Sequence, residues 1–206
     1  MKTMREAIAS GKVLVSDGGW GSFLVAKGLQ VGECPEAWNL THADAVQDIA
    51  RMYAGAGADI VMTNSFGGTR FKLQHYDLAD KVGEINRTAA RLSREAAGPD
   101  RRVMASVGPT GIILMMGEVS EEELYKAFKE QIIALEEGGA DACIIETMSA
   151  LDEATIAVRA ARENTRLEVL ASFTFDMKTP AGYRTMMGVS PEAMATALVD
   201  AGAHIV

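Results

Sequence analysis

The sequence predicts an α/β chain of the (β/α)8 barrel class, the TIM-type barrel, on three observations. Short apolar runs recur along all 206 residues, helix signals fill the stretches between them, and a polar residue closes nearly every run. The runs are residues 13–16, 60–63, 103–107, 142–145, 169–175 and 204–206. They lie far enough apart for one loop, one helix and one loop between neighbours. Each run is apolar on both faces, as a strand must be when helices cover one side and other strands the other.

Taken in order, the helices carry their own start signals. Thr41 followed by Asp44 predicts an N-terminus leading into Val46, Ile49 and Tyr53. Ser120 followed by Glu121, Glu122 and Glu123 is a capping box with acids in the first turn. Leu124, Phe128, Ile132 and Leu135 then recur at helical spacing. Ser190-Pro191-Glu192 is a third start, with proline at the first helical position.

Strict alternation of strand and helix allows an open doubly wound sheet or a barrel. No G-x-G-x-x-G follows a strand, and Asp17-Gly18-Gly19-Trp20-Gly21 lacks that spacing, which weighs against dinucleotide binding. Asp17, Asn64, Ser106, Glu146 and Thr174 close successive strands. Such a ring is the sequence image of a barrel's catalytic face. One junction is repeated three times: Gly57-Ala58-Asp59-Ile60-Val61, Gly139-Ala140-Asp141-Ala142-Cys143 and Gly202-Ala203-His204-Ile205-Val206. In the third copy the chain stops inside the run. The expectation is therefore one barrel domain over residues 1–206, C-terminally incomplete, with about six βα units and on the order of 80–100 residues absent.

Composition narrows the class further. With 48% hydrophobic residues the chain can bury one sizeable core. No run approaches a membrane span, and residues 1–11 lack the apolar centre of a signal peptide. Two distant cysteines give no disulfide framework, so a cytoplasmic location is expected. A net charge of −8 argues against nucleic acid and anionic membrane partners. His42, His75 and His204 show no metal-ligand spacing.

Two acids stand out. Asp17 precedes Gly18 and Gly19; this is either an ordinary turn or a place where backbone N–H groups meet a ligand carboxylate while Asp17 accepts from an ammonium. Glu146 follows Ala142-Cys143-Ile144-Ile145, where burial is costly unless a cation or donor answers it. Together they suit the ammonium of an amino acid. The loops Thr63-Asn64-Ser65-Phe66-Gly67-Gly68 and Ser106-Val107-Gly108-Pro109-Thr110-Gly111 fall on the same face and point to a shared site. Trp38, beside Asn39, either packs or shelters a ligand. Cys143 reads as core and Cys34 as a free thiol. Leu114-Met115-Met116 and Met186-Met187 are either packing or adaptable lining. No lysine closes a strand, Lys178 being the nearest, which weighs against Schiff-base chemistry.

These residues resemble the homocysteine S-methyltransferase family. The matching stretches are D-G-G-W-G at 17–21, E-C-P-E-A-W-N-L-T-H at 33–42, G-A-D-I-V-M-T-N-S-F-G-G at 57–68, S-V-G-P-T-G at 106–111, G-G-A-D-A-C-I-I-E-T-M at 138–148 and S-F-T-F at 172–175. The resemblance implies a (β/α)8 barrel that moves a methyl group to the sulfur of homocysteine. It implies that Asp17 and Glu146 hold the substrate ammonium and that the backbone at Gly18 and Gly19 holds its carboxylate; Asn64, in the loop on the same face, is expected to share that substrate site. It also implies zinc, which would bind the substrate sulfur and keep it deprotonated. The family's zinc cysteines lie just beyond the sixth strand and near the end of the eighth, and neither Cys34 nor Cys143 matches them. A methylated corrinoid protein, S-methylmethionine or a methylated amine could supply the methyl group. The alternative is a non-catalytic binding chain or partial subunit that needs a partner to complete the barrel. The open barrel edge is expected to favour self-association.

Overall fold

In the computed structural model, which describes residues 2–206, the apolar runs assemble side by side in chain order. Helices α1 (Met4–Ala9), α2 (Gly21–Ala26), α3 (Trp38–Thr41) and α4 (Ala43–Gly55) precede β1 (Ile60–Met62). Helices α5 (Arg70–Leu73) and α6 (Val82–Ala97) lead to β2 (Arg102–Val107), α7 (Glu121–Glu137) to β3 (Ala142–Met148), and α8 (Leu151–Asn164) to β4 (Glu168–Phe173). A hairpin of β5 (Met177–Thr179) and β6 (Gly182–Arg184) intervenes before α9 (Pro191–Asp200). Strands β1 to β4 form one parallel sheet in that order, in register through pairs such as Val61–Val103, Ala105–Cys143 and Cys143–Val169.

The first and last apolar runs take their expected places but are reduced to single bridges, Ser16 beside Ile60 and Leu170 beside Ile205. Among the described residues each has a neighbouring strand on one side only, so little ladder forms. The run at 169–175 ends as a strand at Phe173; Thr174 still donates its N–H to Met148 O at 2.9 Å. Lys178 lies within β5 rather than in a loop.

Side chains alternate across each strand, so one set faces the helices and the other the barrel interior. Ala105, Val107, Cys143, Ile145, Val169 and Ala171 are buried against Ala90 of α6, Phe128, Ile132 and Leu135 of α7, and Ala157 and Ala161 of α8. Burying Phe128 or Leu135 fully is worth about 1.5–3 kcal/mol each. On the inner face Ile60, Met104 and Ala142 pack with Met4, while Leu14, Met62, Ile144, Leu170 and Ile205 are partly buried.

Helix α1 closes the N-terminal end of the sheet. Thr3 and Glu6 form its capping box, and the Glu168 carboxylate accepts from the N–H groups of Met4 at 2.6 Å and Arg5 at 2.8 Å. The other caps divide. Ser120 Oγ accepts from Glu123 N–H at 3.3 Å while Glu123 answers Ser120 N–H at 2.9 Å, and Ser190 Oγ accepts from Ala193 N–H at 3.2 Å. Thr41 is no cap: it ends α3, its hydroxyl bonds Ala37 O at 3.2 Å, and α4 begins after His42 without a side-chain cap.

Candidate functional site

Alternation decides which strand-end groups meet. Ala105 and Val107 pack outward, so Ser106 between them faces inward; Glu146 does the same after outward-facing Ile145. A cleft of ≈ 470 Å³ opens at the C-terminal ends of the strands. Asp17, Gly18, Gly19 and Trp20 line it from the first loop, Met62 to Phe66 from the end of β1 and its loop, Ser106 from β2 and Glu146 from β3, with Pro35 and Glu36 alongside. All five residues singled out from sequence, Asp17, Gly18, Gly19, Asn64 and Glu146, therefore face one cavity.

Asp17 is held rigidly. Its Oδ2 accepts from Trp20 Nε1–H at 3.0 Å and Met62 N–H at 2.8 Å, and Oδ1 from Ser16 Oγ at 3.2 Å. Burial nevertheless pushes its carboxyl above the usual range, against the pull of those donors. Glu146 accepts from Ser106 Oγ. Burial pushes Glu146 up as well, the Ser106 bond opposes this, and the charge of Asp17 adds to it. Among the described residues no lysine or arginine pairs with either acid. The cleft thus concentrates negative potential without a cation to answer it.

A hydroxyl relay forms the floor. Ser65 Oγ donates to Ser106 O at 2.7 Å, so the 2.5 Å contact between Thr63 and Ser65 is donated by Thr63, whose Oγ1 accepts from Ser106 N–H at 3.0 Å. This ties the ends of β1 and β2 beneath the carboxylates. Beyond Glu146 the β3–β4 register shifts between Ile145 and Met148, and Thr147 adopts φ 61°, a left-handed conformation that β-branched residues rarely take. The backbone at Gly19 is approachable: apart from its chain neighbours no residue comes within 4 Å of where its Cβ would stand, and its carbonyl is occupied by Tyr53 Oη at 2.9 Å. A Cβ on Gly18 would meet Tyr53 Oη at 3.2 Å.

Asn64 lines the cleft, yet its amide works as a staple. Nδ2 donates to Pro35 O at 2.7 Å and Asn39 Oδ1 at 3.0 Å, and Asn39 Nδ2 donates to Asn64 O at 2.8 Å. Sequence reasoning missed Glu36, which is buried, lines the cleft and accepts from Gly67 N–H at 2.7 Å. An acid just after a proline reads as an ordinary first-turn residue, so its place in the stretch 33–42 did not single it out. Trp20 was equally unmarked beyond its place in the D-G-G-W-G string.

Other candidates separate from the site. Trp38 packs, buried among Leu24, Val46 and Ile49 and stacked on His42 with ring centroids 4.2 Å apart. Leu114 packs, partly buried, against the core, as one of its two readings had it, whereas Met115 and Met116 are 83% and 69% exposed and do not line the cleft. Cys143 is core, its thiol pushed up to about 12 by burial. Cys34 is buried beside Glu36, its thiol pushed up to about 11 by burial and by that carboxylate. Neither thiol lines the cleft, and among the described residues no three His, Cys, Asp or Glu side chains are grouped to hold a metal. The donor set does not fit zinc.

Residues 14–206 match the family model described as homocysteine S-methyltransferase. Methionine synthase of Mycobacterium tuberculosis is 33% identical over 167 residues, covering 75% of this chain and 14% of that protein. The chain thus spans a small part of the curated relatives it matches. The homocysteine methyltransferase MmuM of Escherichia coli in its oxidized form matches with TM-score 0.79 at 20% identity, covering 96% of this chain and 73% of that one. Its metallated form gives the same TM-score, over 95% and 74%. This likeness agrees with the barrel class expected from sequence, here a parallel sheet and its outer helices. On the family match and the 33% identity together, the chain belongs to the homocysteine S-methyltransferase family.

Proposed function

We propose that this chain carries the amino-acid-binding part of a site that transfers a methyl group to the thiol of homocysteine. One observation carries the reading: Asp17 and Glu146 face one cleft, both buried enough to have raised pKa values, with no cation between them. An α-ammonium supplies the missing charge. The open backbone at Gly19, next to Gly18, receives the α-carboxylate, so that the two ends of the amino acid are held by opposite partners. Asn64 acts by fixing the loop over the cleft through Pro35 and Asn39.

In the reaction a lone pair of the homocysteine sulfur forms a bond to the methyl carbon as the donor's bond to that carbon breaks, its electron pair staying with the donor, and the thiol proton passes to solvent. A zinc ion of the kind the family resemblance implies would hold that sulfur as the thiolate. The described residues do not hold it, and their share is to bind and orient the amino acid. A methylated corrinoid protein, S-methylmethionine or a methylated amine remains the candidate donor class. The unpaired thiols of Cys34 and Cys143 favour the cytoplasm. Among the described residues no helix is long and apolar enough to cross a membrane.

Calorimetric titration with L-homocysteine tests the assignment. Glu146→Gln and Asp17→Asn are each expected to weaken binding at least about tenfold, given roughly 1.5–3 kcal/mol for a hydrogen bond to a charged group. The analogue 4-mercaptobutanoate, which lacks the ammonium, should bind weakly and be indifferent to both substitutions. Unchanged homocysteine affinity in both variants would overturn the assignment.

A further inference from the structure

The repeated Gly-Ala-Asp/His junctions fold into one device used three times. In each copy the glycine turns left-handed, with φ 100° at Gly57, 103° at Gly139 and 106° at Gly202. The residue two places later then grips both polar backbone groups of one residue in the preceding apolar run. Asp59 N–H donates to Val15 O at 2.8 Å, and Asp59 Oδ2 accepts from Val15 N–H at 3.0 Å. Asp141 holds Val103 in the same way, at 2.8 Å and 2.8 Å. His204 holds Val169 through its own N–H at 2.8 Å and through Nδ1, which accepts from Val169 N–H at 2.8 Å.

A cation backs each grip. Lys12 Nζ lies 2.9 Å from Asp59 Oδ1, the Arg94 guanidinium pairs with Asp141, and Arg162 Nη1 lies 2.9 Å from His204 Nε2. The second and third copies match down to the arginine stem. A Cβ on Gly139 would sit 3.4 Å from Arg94 Cγ, and one on Gly202 would sit 3.1 Å from Arg162 Cγ.

Aspartate offers two acceptor oxygens and so answers both donors. Imidazole cannot. With Nδ1 accepting from Val169, Nε2 of a neutral ring carries the proton and faces Arg162, which has only donors. We infer that His204 makes the third junction a pH-sensitive register clamp, in which the neutral ring holds Val169 and the protonated ring releases it. Protonation sets an N–H at Nδ1 against the Val169 N–H and a positive charge beside Arg162. The charged groups facing the ring are Arg162 from α8, Glu168 from β4 and Arg5 from α1.

Burial, then Arg162, push His204 below its ordinary value, and Glu168 opposes them. A base with a lowered folded pKa stabilises the fold above its unfolded value. That contribution is lost as pH falls through the folded value. Aspartate in the same place would keep its grip until the acid range.

Amide hydrogen exchange on the wild-type chain tests the clamp, with Val15 and Val103 as internal references. As pH falls from 7.5 through the range in which the His204 ring titrates, the protection of Val169 is expected to fall at least about tenfold, while the two Asp-held amides change less than about twofold. His204→Asp should flatten the Val169 profile. Ring-nitrogen chemical shifts at pH 7.5 should report the proton on Nε2. A proton on Nδ1, or a Val169 profile parallel to those of Val15 and Val103 while His204 titrates, would overturn the inference.

Discussion

Glu146 shows a residue whose placement works against the stability of the fold. Its carboxyl is pushed up by burial and by Asp17, so the folded chain holds the proton more tightly than the unfolded one. The stabilising contribution is therefore complete below the ordinary glutamate value of 4.5 and lost as pH rises through the folded pKa. Glu146→Gln is expected to raise the melting temperature at pH 7.5 by a few degrees, at roughly 2–4 °C per kcal/mol for a chain of this size. Near pH 4 the advantage should vanish; an advantage independent of pH would refute the electrostatic account. Asp17 and Glu146 were legible in sequence because an acid closing an apolar run must face a strand end. Glu36 was not, since its partner Gly67 is brought to it by the fold. Trp38 could be read either way until its ring was seen against His42.

At the scale of elements, what could be read depended on whether the controlling interaction was local. The caps at Ser120 and Ser190 lie within three residues of their partners, and both formed as read. The Thr41 cap failed because the chain was already helical there, in α3. Helix α1 and the β5–β6 hairpin escaped notice; α1 carries a local capping box at Thr3 and Glu6, and the Glu168 carboxylate that receives its next two N–H groups lies far along the chain. The bulge in β3 is another feature that pattern alone does not reveal. Thr147 holds φ 61° while exposed, and its hydroxyl takes no part in the hydrogen bonds that fix Glu146. Asparagine tolerates that conformation far better. Thr147→Asn is expected to stabilise the chain by about 1 kcal/mol, or roughly 2–4 °C, by relieving backbone strain. Thermal unfolding measures it directly, and a lowered melting temperature would mean that the bulge draws on the threonine side chain instead.

Across the whole molecule, the barrel class was legible because alternation of strand and helix, and the polar ring at strand ends, are global patterns. How completely each face is filled was not. The outer layer is dense, with Phe128, Leu135, Ile145 and Val169 fully buried. The inner layer is thinner: Leu14, Met62, Ile144, Leu170 and Ile205 are only partly buried around Ile60, Met104 and Ala142. Beside it, residues 204–206 join the sheet through a single bridge to Leu170, and Val206 is 48% exposed. Apolar side chains next to unpaired strand groups form a template for another chain. A net charge of −8 opposes association only at long range and is screened by salt. The polypeptide of these 206 residues is therefore expected to self-associate, more strongly in high salt and at higher concentration. Sedimentation velocity across the micromolar range measures this, and Ile205→Lys should shift the boundary toward monomer by placing a charge on that edge. A monomeric boundary for the unsubstituted chain at every concentration would show that the inner face is self-sufficient as it stands.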